Sequence, residues 1–445
     1  MRKAWGVFIG AALVAATQAQ QTFDAPEKSP IIYTIQSGDT LSQLSEKYFR
    51  QPADLKFIQH LNHLTNIDLL LTGEKLKIPR EFVKQSPSHA TIISYSCARP
   101  IRVGLPMRMV SMGSVLTEGA ILDIPSECHV SMMLEDSSVI YLPSGAAVKI
   151  STLRKNALES SPEVQLDLVR GRLELEVYKG RSPTTPFDIR TPLSVTGVRG
   201  TEFRVGYTPS DQTGQVEVLN GVVEAMGIND AQSRPVKKGE GIPFDRTGKA
   251  MPIEKLLDAP VFERATIDNA AQNSYAIKFT GAPLASSYVA TSATSANFLG
   301  DRTLQTMRTP TLITPPLSLQ ATFYELLTLS NAGIAGTTRR YGFCAAQLDV
   351  KVIRCKALFD APLSEGRMIA FSLIRHANEQ TQELISTQKL QAKNRRFAIE
   401  GLPAGHYSWR MSYAMAQGTN TEAQEPLITK QSGSFDLIAL TAKTP

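Results

Sequence analysis

The sequence predicts a multidomain, mostly β chain: a small βααβ module at 30–80, an all-β domain at 95–250, and two β-sandwich-like units at 258–345 and 346–443. Three observations lead there. Apolar residues alternate at period two in Val164–Leu168, in Leu173–Val177 and again along Tyr407, Trp409, Met411 and Tyr413. Turn signals recur at short spacing from residue 95 to about 250, where strong helical periodicity is missing. The helical period shows instead in one short stretch, where Leu41, Leu44, Ser45 and Tyr48 fall at i, i+3, i+4 and i+7. A length of 445 residues suits two to four domains at about 150 residues each.

The N-terminus reads as a secretory signal peptide over residues 1–19. Arg2 and Lys3 give a positive start, Trp5 to Ala16 is apolar, and Thr17-Gln18-Ala19 offers small residues at a cleavage site. The apolar run is shorter than the roughly 20 residues that a spanning helix needs. No Cys follows it, so a lipid-modification signal is absent. No later stretch is long and apolar enough to cross a bilayer. The expectation is an exported chain, placed in the periplasm or cell envelope. Its composition, 42% apolar and 20% charged, is that of a globular protein. The net charge of +6 is small for this length and argues against a dedicated nucleic-acid binder, which would cluster its cations.

The module between Ile32 and Pro79 opens on a β-run, Tyr33-Thr34-Ile35, and turns at Gly38-Asp39-Thr40-Leu41. Asp39 or Thr40 can cap the helix that begins near Leu41. Pro52 suits the first turn of a second helix, where a missing N–H costs little. Leu55, Ile58 and Gln59 face one way, and Asn62 falls near that helix's end. A Gly73 turn and Lys75-Leu76-Lys77-Ile78 close the unit. This segment resembles a LysM module, which binds N-acetylglucosamine polymers such as peptidoglycan. The resemblance implies a shallow glycan groove lined by Gly38, Asp39, Thr40 and Leu41 on one side and Leu70, Leu71, Thr72 and Gly73 on the other. Ser42 and Thr72 depart from the family's usual aromatic and Pro.

In the 95–250 domain the apolar phase flips across Arg170-Gly171, so a turn or bulge belongs there, since a one-residue slip moves every side chain to the other face. Asn220-Gly221, between Val216-Glu217-Val218 and Val222-Val223, reads as a hairpin turn. Between these lies Thr191-Pro192-Leu193-Ser194-Val195-Thr196-Gly197-Val198-Arg199-Gly200-Thr201-Glu202-Phe203. That run resembles the FecR-domain signature. Leu134 to Leu142 resembles the family's Asp-Gly-Ser hairpin, with Ser137 where Gly is usual. Leu168 to Leu173 resembles a second family hairpin, and Lys238-Gly239-Glu240-Gly241 the closing turn. The signature residues Thr191, Pro192, Val198, Arg199, Gly200, Thr201 and Phe203 read as structural. Arg199 is expected to tie turns together, with Gly197 and Gly200 letting the backbone bend around it.

The texture changes near Leu257-Asp258-Ala259-Pro260. Ala321 to Gly336 resembles late strands of a fibronectin type III-like module, and Phe397 to Tyr413 a strand, a corner and a second strand. The face of Tyr407, Trp409, Met411 and Tyr413 should be core. Of the four cysteines, sequence proximity favours Cys97–Cys128 and Cys344–Cys355, the alternative being four buried thiols.

The sequence offers no G-x-S-x-G, H-E-x-x-H or P-loop motif, and His60 and His63 lack a third ligand. The expectation is therefore a non-catalytic envelope protein with no catalytic residues, no metal and no cofactor, whose partners are peptidoglycan and other envelope proteins. Two rivals remain. One is a FecR-type signalling regulator of iron uptake. The other is a peptidoglycan hydrolase with an unrecognised carboxylate pair.

Overall fold

The computed structural model describes residues 30–441 apart from 52, 98–100, 104–107, 126–127, 183, 300–301, 347–351, 362–367, 378–380, 392–395 and 415–427. The expected leader at 1–19, Pro52 and the side chains of Arg199 and Tyr413 lie outside the described residues. The chain is mostly β throughout. Among the described residues no helix is long and apolar enough to cross a membrane.

In the first module, Ile31–Thr34 pairs antiparallel with Lys75–Ile78, Ile31 opposite Ile78. Thr40 caps the helix Leu41–Tyr48: its Oγ1 accepts from the Gln43 N–H at 3.2 Å. Leu41, Leu44 and Ser45 are buried along that helix, as their spacing requires. The second helix, Asp54–Leu61, buries Ile58 and ends at Asn62. Asn62 then behaves as an extra strand residue. Its Oδ1 accepts from Lys77 N–H at 2.7 Å, and its Nδ2 donates to the carbonyls of Lys77 and Ile58 at 2.8 Å each. The small core of Ile31, Ile35, Leu41, Leu44, Phe49, Ile58, Leu76 and Ile78 is completed by Val83 and by Leu158 from the next domain. The chain enters that domain at Gln85–Pro87, which pairs with Arg154–Asn156.

The second domain is built on three long strands, Glu163–Glu176, Ser194–Thr208 and Thr213–Gly227. Each is kinked at a glycine with positive φ: Gly171 (84°), Gly200 (57°) and Gly221 (89°). Each strand thereby changes neighbours midway. The first half of Glu163–Glu176 pairs with Ala147–Asn156 and, in parallel, with Phe187–Arg190. Its second half pairs with Val139–Leu142 and with the second half of Ser194–Thr208. At Asn220-Gly221, and for the family hairpin expected over Leu168–Leu173, the hairpin expectation changes, while of the turn or bulge expected at Arg170-Gly171 the bulge is found. Asn220-Gly221 is not a hairpin turn, and neither is Arg170-Gly171. Both are bulges inside continuous strands, because a positive φ also serves a strand that must bend and twist. The phase flip itself is real: Val164, Leu166 and Leu168 are buried, and beyond the bulge so are Leu173, Leu175 and Val177.

The hairpin at Leu134–Leu142 does turn back. His129–Leu134 pairs with Val139–Leu142, and Ser137, where the family has Gly, holds φ at 70°. Gly239, φ 80°, makes the closing turn. A buried cation braces the domain: Arg181 pairs with Asp136 and also donates to the carbonyls of Pro162 and Pro186.

The C-terminal units are two layered β structures that share a sheet. Its eight strands, among the described residues, run in the order Arg302–Met307, Ser287–Ala293, Thr322–Leu329, Arg339–Ala345, Ile428–Leu440, Gly405–Ala414, Met368–His376, Gln382–Gln391. Arg339–Ala345 and Ile428–Leu440 pair in parallel, so the boundary expected near 346 is crossed by continuous hydrogen bonding. One end of this sheet is covered by Val261–Asn269, Ser274–Thr280 and Thr311–Ile313 over Tyr275, Phe279, Tyr341 and Phe343. The other end is covered by Cys355–Asp360 and Arg396–Leu402 over Phe359, Phe371 and Phe435. Tyr407, Trp409 and Met411 are core, as their alternation predicts. The four cysteines form Cys97–Cys128 and Cys344–Cys355.

Candidate functional site

Two regions carry the residues that the sequence singled out. The first is the rim of the N-terminal module. Backbone hydrogen bonds bring its two loops together: Leu41 N–H donates to Ile67 C=O at 2.8 Å, Ile35 N–H to Glu74 C=O at 2.9 Å, and Gly73 N–H to Ile35 C=O at 2.9 Å. Gly38 and Gly73 both hold φ near 89°, which keeps the turns open without side chains. The first loop's side chains turn inward. Leu41 is fully buried, Thr40 caps the helix, and the Asp39 carboxylate accepts from Gln36 N–H at 2.7 Å and Tyr33 O–H at 2.8 Å. Burial, then that hydrogen bond and the Asp39 charge, push the Tyr33 hydroxyl up to about 12. On the second loop Leu70 is half-buried, Thr72 and Gly73 are exposed, and Leu71 is 59% exposed. Leu69, which the sequence reading passed over, is 69% exposed beside it. A groove here would therefore present main chain from the first loop and two leucines from the second.

The second region is the kink that contains Val198-Arg199-Gly200-Thr201. Arg199 pairs with Val222, and the register slips on both sides of Glu202. A β-carbon on Gly200 would sit 3.2 Å from Lys179 Cα, and one on Gly221 would sit 2.5 Å from Thr201 Cγ2. Gly200 and Gly221 are thus required where two strands bend together. Gly197 has room for a β-carbon, whose nearest neighbour would be Asp188 Oδ1 at 3.7 Å, so it is not a bending residue. Thr191 holds the entry turn by accepting at Oγ1 from the N–H groups of Leu193 and Ser194, with Pro192 exposed between them. Val198 is half-buried, and Phe203 is fully buried, worth about 1.5–3 kcal/mol.

Beside this kink the β domain meets the C-terminal units across a cleft of about 620 Å³. Its floor is two cross-strand rows. One runs Ser131, Tyr141, Glu174, Arg204; the other runs Val139, Glu176, Glu202, Asn220. Its far wall carries Asn297, Arg302, Glu325, Arg340, Trp409 and Gln431. The wall's charges are matched: Arg340 Nε donates to Glu325 at 2.7 Å, and the Arg302 guanidinium lies 3.7 Å over the Tyr141 ring. Burial opposes the Glu325 charge, yet Arg340 and Arg302 hold its carboxyl below the usual range. Burial pushes Tyr141 up to about 12. The floor's carboxylates are met only at a distance, by the charges of Arg340 and Lys179. Glu174, Glu176 and Glu202 make no hydrogen bond or ion pair among the described residues, and Glu176 sits directly opposite Glu202. Partial desolvation inside the cleft and the Glu202 charge push the Glu176 carboxyl up against the pull of Arg340, although the residue as a whole is exposed. Three buried atoms of the lining also lack partners: Trp409 Nε1 and Gln431 Oε1 on the wall and Thr201 Oγ1 on the FecR strand.

Next to the cleft a latch holds the units together. Buried Arg204 donates from both terminal nitrogens to Gly336 C=O at 3.2 Å, and buried Glu217, paired with Arg172, accepts from Ala335 N–H at 3.0 Å. Ile334 lies flat on Gly241, where a β-carbon would come within 2.7 Å of it.

A model described as "LysM domain" matches residues 33–79, and one described as "FecR protein" matches residues 122–224. The chain carries a LysM module followed by a FecR domain. Both are non-catalytic domain families typical of envelope proteins. An uncharacterized protein of Deinococcus radiodurans is 36% identical over 75 residues, 17% of this chain and 30% of that protein. A putative anti-sigma factor from Parabacteroides distasonis is similar over 30% of this chain and 59% of its own, at 21% identity and a TM-score of 0.25. The chicken CNTN1 FN1–FN3 domains are similar over 53% of this chain and 93% of theirs, at 11% identity and a TM-score of 0.15. The chain thus spans under a third of the curated relative's length and under two thirds of the putative anti-sigma factor's. Among the described residues no group of His, Cys, Asp and Glu converges on a metal position.

Proposed function

We propose that this protein binds peptidoglycan in the cell envelope through its LysM module, and that the FecR domain holds that module at a fixed angle to the C-terminal β units. The observation that carries the reading is the LysM match at 33–79, joined to the rim described above. The glycan would lie along Gly38, Asp39, Thr40 and Leu41 on one loop and Leu70, Leu71, Thr72 and Gly73 on the other. Main-chain amides would meet the N-acetyl groups, and Leu69 and Leu71 would pack on the sugar faces. The fixed angle follows from the seam behind the module. Arg80, 2% exposed, pairs with Glu159 and reaches Thr184 C=O, and Lys84 Nζ donates to Glu46 C=O at 2.6 Å.

The test is co-sedimentation of the full chain with purified peptidoglycan at low salt. The wild type should pellet, Leu69→Asp/Leu71→Asp should stay largely in the supernatant, and Gly38→Val should weaken pelleting by straining the turn. A wild type that stays in solution overturns the reading. Released muropeptides would instead favour a hydrolase. The FecR match favours a second reading, envelope signalling of the iron-uptake type. In that case loss of the protein would change iron-responsive transcription.

A further inference from the structure

We propose that the cleft between the FecR sheet and the C-terminal units binds a short peptide segment bearing a lysine-like ammonium group. The floor supplies the charge. Glu174, Glu176 and Glu202 lie on adjacent strands, line one opening and make no direct ion pair or hydrogen bond among the described residues. The direct contacts of the nearby cations go elsewhere, Arg340 to Glu325, Arg302 to the Tyr141 ring and the Phe298 carbonyl, and Arg204 to Gly336, so that Arg340 reaches the floor carboxylates only through space. Lys179 is exposed at the edge. An acidic floor alone would be ordinary solvated surface. The lining makes it a site, because three groups at least nine-tenths buried carry unpartnered polar atoms there: Trp409 (5% exposed) and Gln431 (9%) on the wall and Thr201 (2%) on the floor's own strand.

A buried donor or acceptor without a partner is costly, so atoms of this kind point to an occupant that completes them. A peptide unit offers one N–H and one C=O, which suit Gln431 Oε1 and the Trp409 Nε1–H. The ammonium suits the floor. A metal ion suits it less, since these carboxylates do not converge on one point. The volume also lies within the range of small-ligand sites. This proposal does not depend on glycan binding by the LysM module.

The experiment uses the full chain in a Trp5→Phe background, where Trp409 is the sole tryptophan. Capped Ala-Lys-Ala and capped Ala-Gln-Ala are titrated, with binding read by Trp409 emission and by equilibrium dialysis. The lysine peptide should bind saturably, and the glutamine peptide should bind about tenfold more weakly or not at all. Glu176→Gln/Glu202→Gln should weaken the lysine peptide about tenfold at unchanged fold, while Glu263→Gln, outside the cleft, should leave it unchanged. Trp409→Phe, read by dialysis, should lose severalfold. Equal binding of the two peptides, no saturable binding of either, or full affinity in the double Glu variant would overturn the proposal.

Discussion

The FecR domain has two seams, and they are made differently. Toward the LysM module, Arg80 is matched to Glu159, which also accepts from Thr185 Oγ1 at 2.7 Å and Asn156 Nδ2 at 3.1 Å. Toward the C-terminal units, Arg204 and Glu217 form a latch, but the cleft beside it keeps three carboxylates and three buried polar atoms without a direct partner among the described residues. A seam whose buried charges are paired directly gains stability and rigidity, even though Asn156 Oδ1 stays without a partner there. A seam that leaves its polar groups without a direct partner gives up stability, which is how binding sites commonly differ from structural contacts.

The comparison breaks most visibly at the closed seam. Glu159→Gln removes one partner of a buried ion pair and should cost about 3–5 kcal/mol. In a unit of this size that lowers the melting temperature on the order of 10 °C. The pH dependence has a defined sign. Burial raises the Glu159 carboxyl, but hydrogen bonds from Arg80, Thr185 and Asn156 outweigh it, so its value in the fold is lowered. Its contribution is therefore present above the unfolded carboxylate range, near 4.3, and is lost as pH falls through the lowered value. Thermal scans of wild type and variant across that range should converge at the acid end.

Next in size is the staple in the C-terminal core. Cys344 and Cys355 are both fully buried. Their joint replacement by Ser should cost about 2–4 kcal/mol. Free-thiol labelling of the denatured, unreduced wild type should find none of the four cysteines reactive. Full labelling would contradict both bridges.

At the open seam, Glu217→Ala removes a fully buried carboxylate from Arg172 and from the Ala335 amide, and should cost about 1–3 kcal/mol. Faster proteolysis within residues 330–337 would show the latch opening. Unchanged cleavage there would mean that Ile334 packing alone holds it.

The smallest effect has the opposite sign. Glu176 faces Glu202, and like charges directly opposite are destabilising by a few tenths of a kcal/mol. Glu202→Gln should raise the melting temperature slightly at neutral pH, with the relief of Glu176 outweighing the lost attraction to Arg340. Since the Glu176 carboxyl is raised in the fold, stability is fully present below the unfolded value and is lost as pH rises through the folded one. The gain from the variant should therefore vanish at low pH.

Much of this fold was legible because short-range chemistry decides it. Thr40 caps a helix wherever it precedes one, and the alternation at Val164–Val177 fixes which side chains are buried. Ser137, standing where the family has Gly, does take the positive φ that the hairpin needs. Asn220-Gly221 reads as a hairpin, and Arg170-Gly171 as either a turn or a bulge, for a physical reason. Asn220-Gly221 and Arg170-Gly171 report positive φ, which a reversing turn and a bulge both use, and only contacts with other strands decide whether the chain turns back. The groove residues were legible as a pair of loops, but their side chains were not: Asp39 and Thr40 are engaged within the first loop, and Leu69 stands exposed on the second. The seams were invisible. Arg80 meets Glu159 across 79 positions, and Arg204 meets Gly336 across 132, with no local pattern to announce either. The cleft gathers residues from Ser131 to Ser432 in the same way.

The central claim, that one seam pairs its buried charges directly and the other leaves its carboxylates without a direct partner among the described residues, is tested most directly by melting Glu159→Gln and Glu202→Gln side by side at neutral pH. The account predicts shifts of opposite sign, a fall on the order of 10 °C for Glu159→Gln and a small rise for Glu202→Gln. A fall in both would show that the cleft carboxylates hold the fold together as Glu159 does, and would contradict the account.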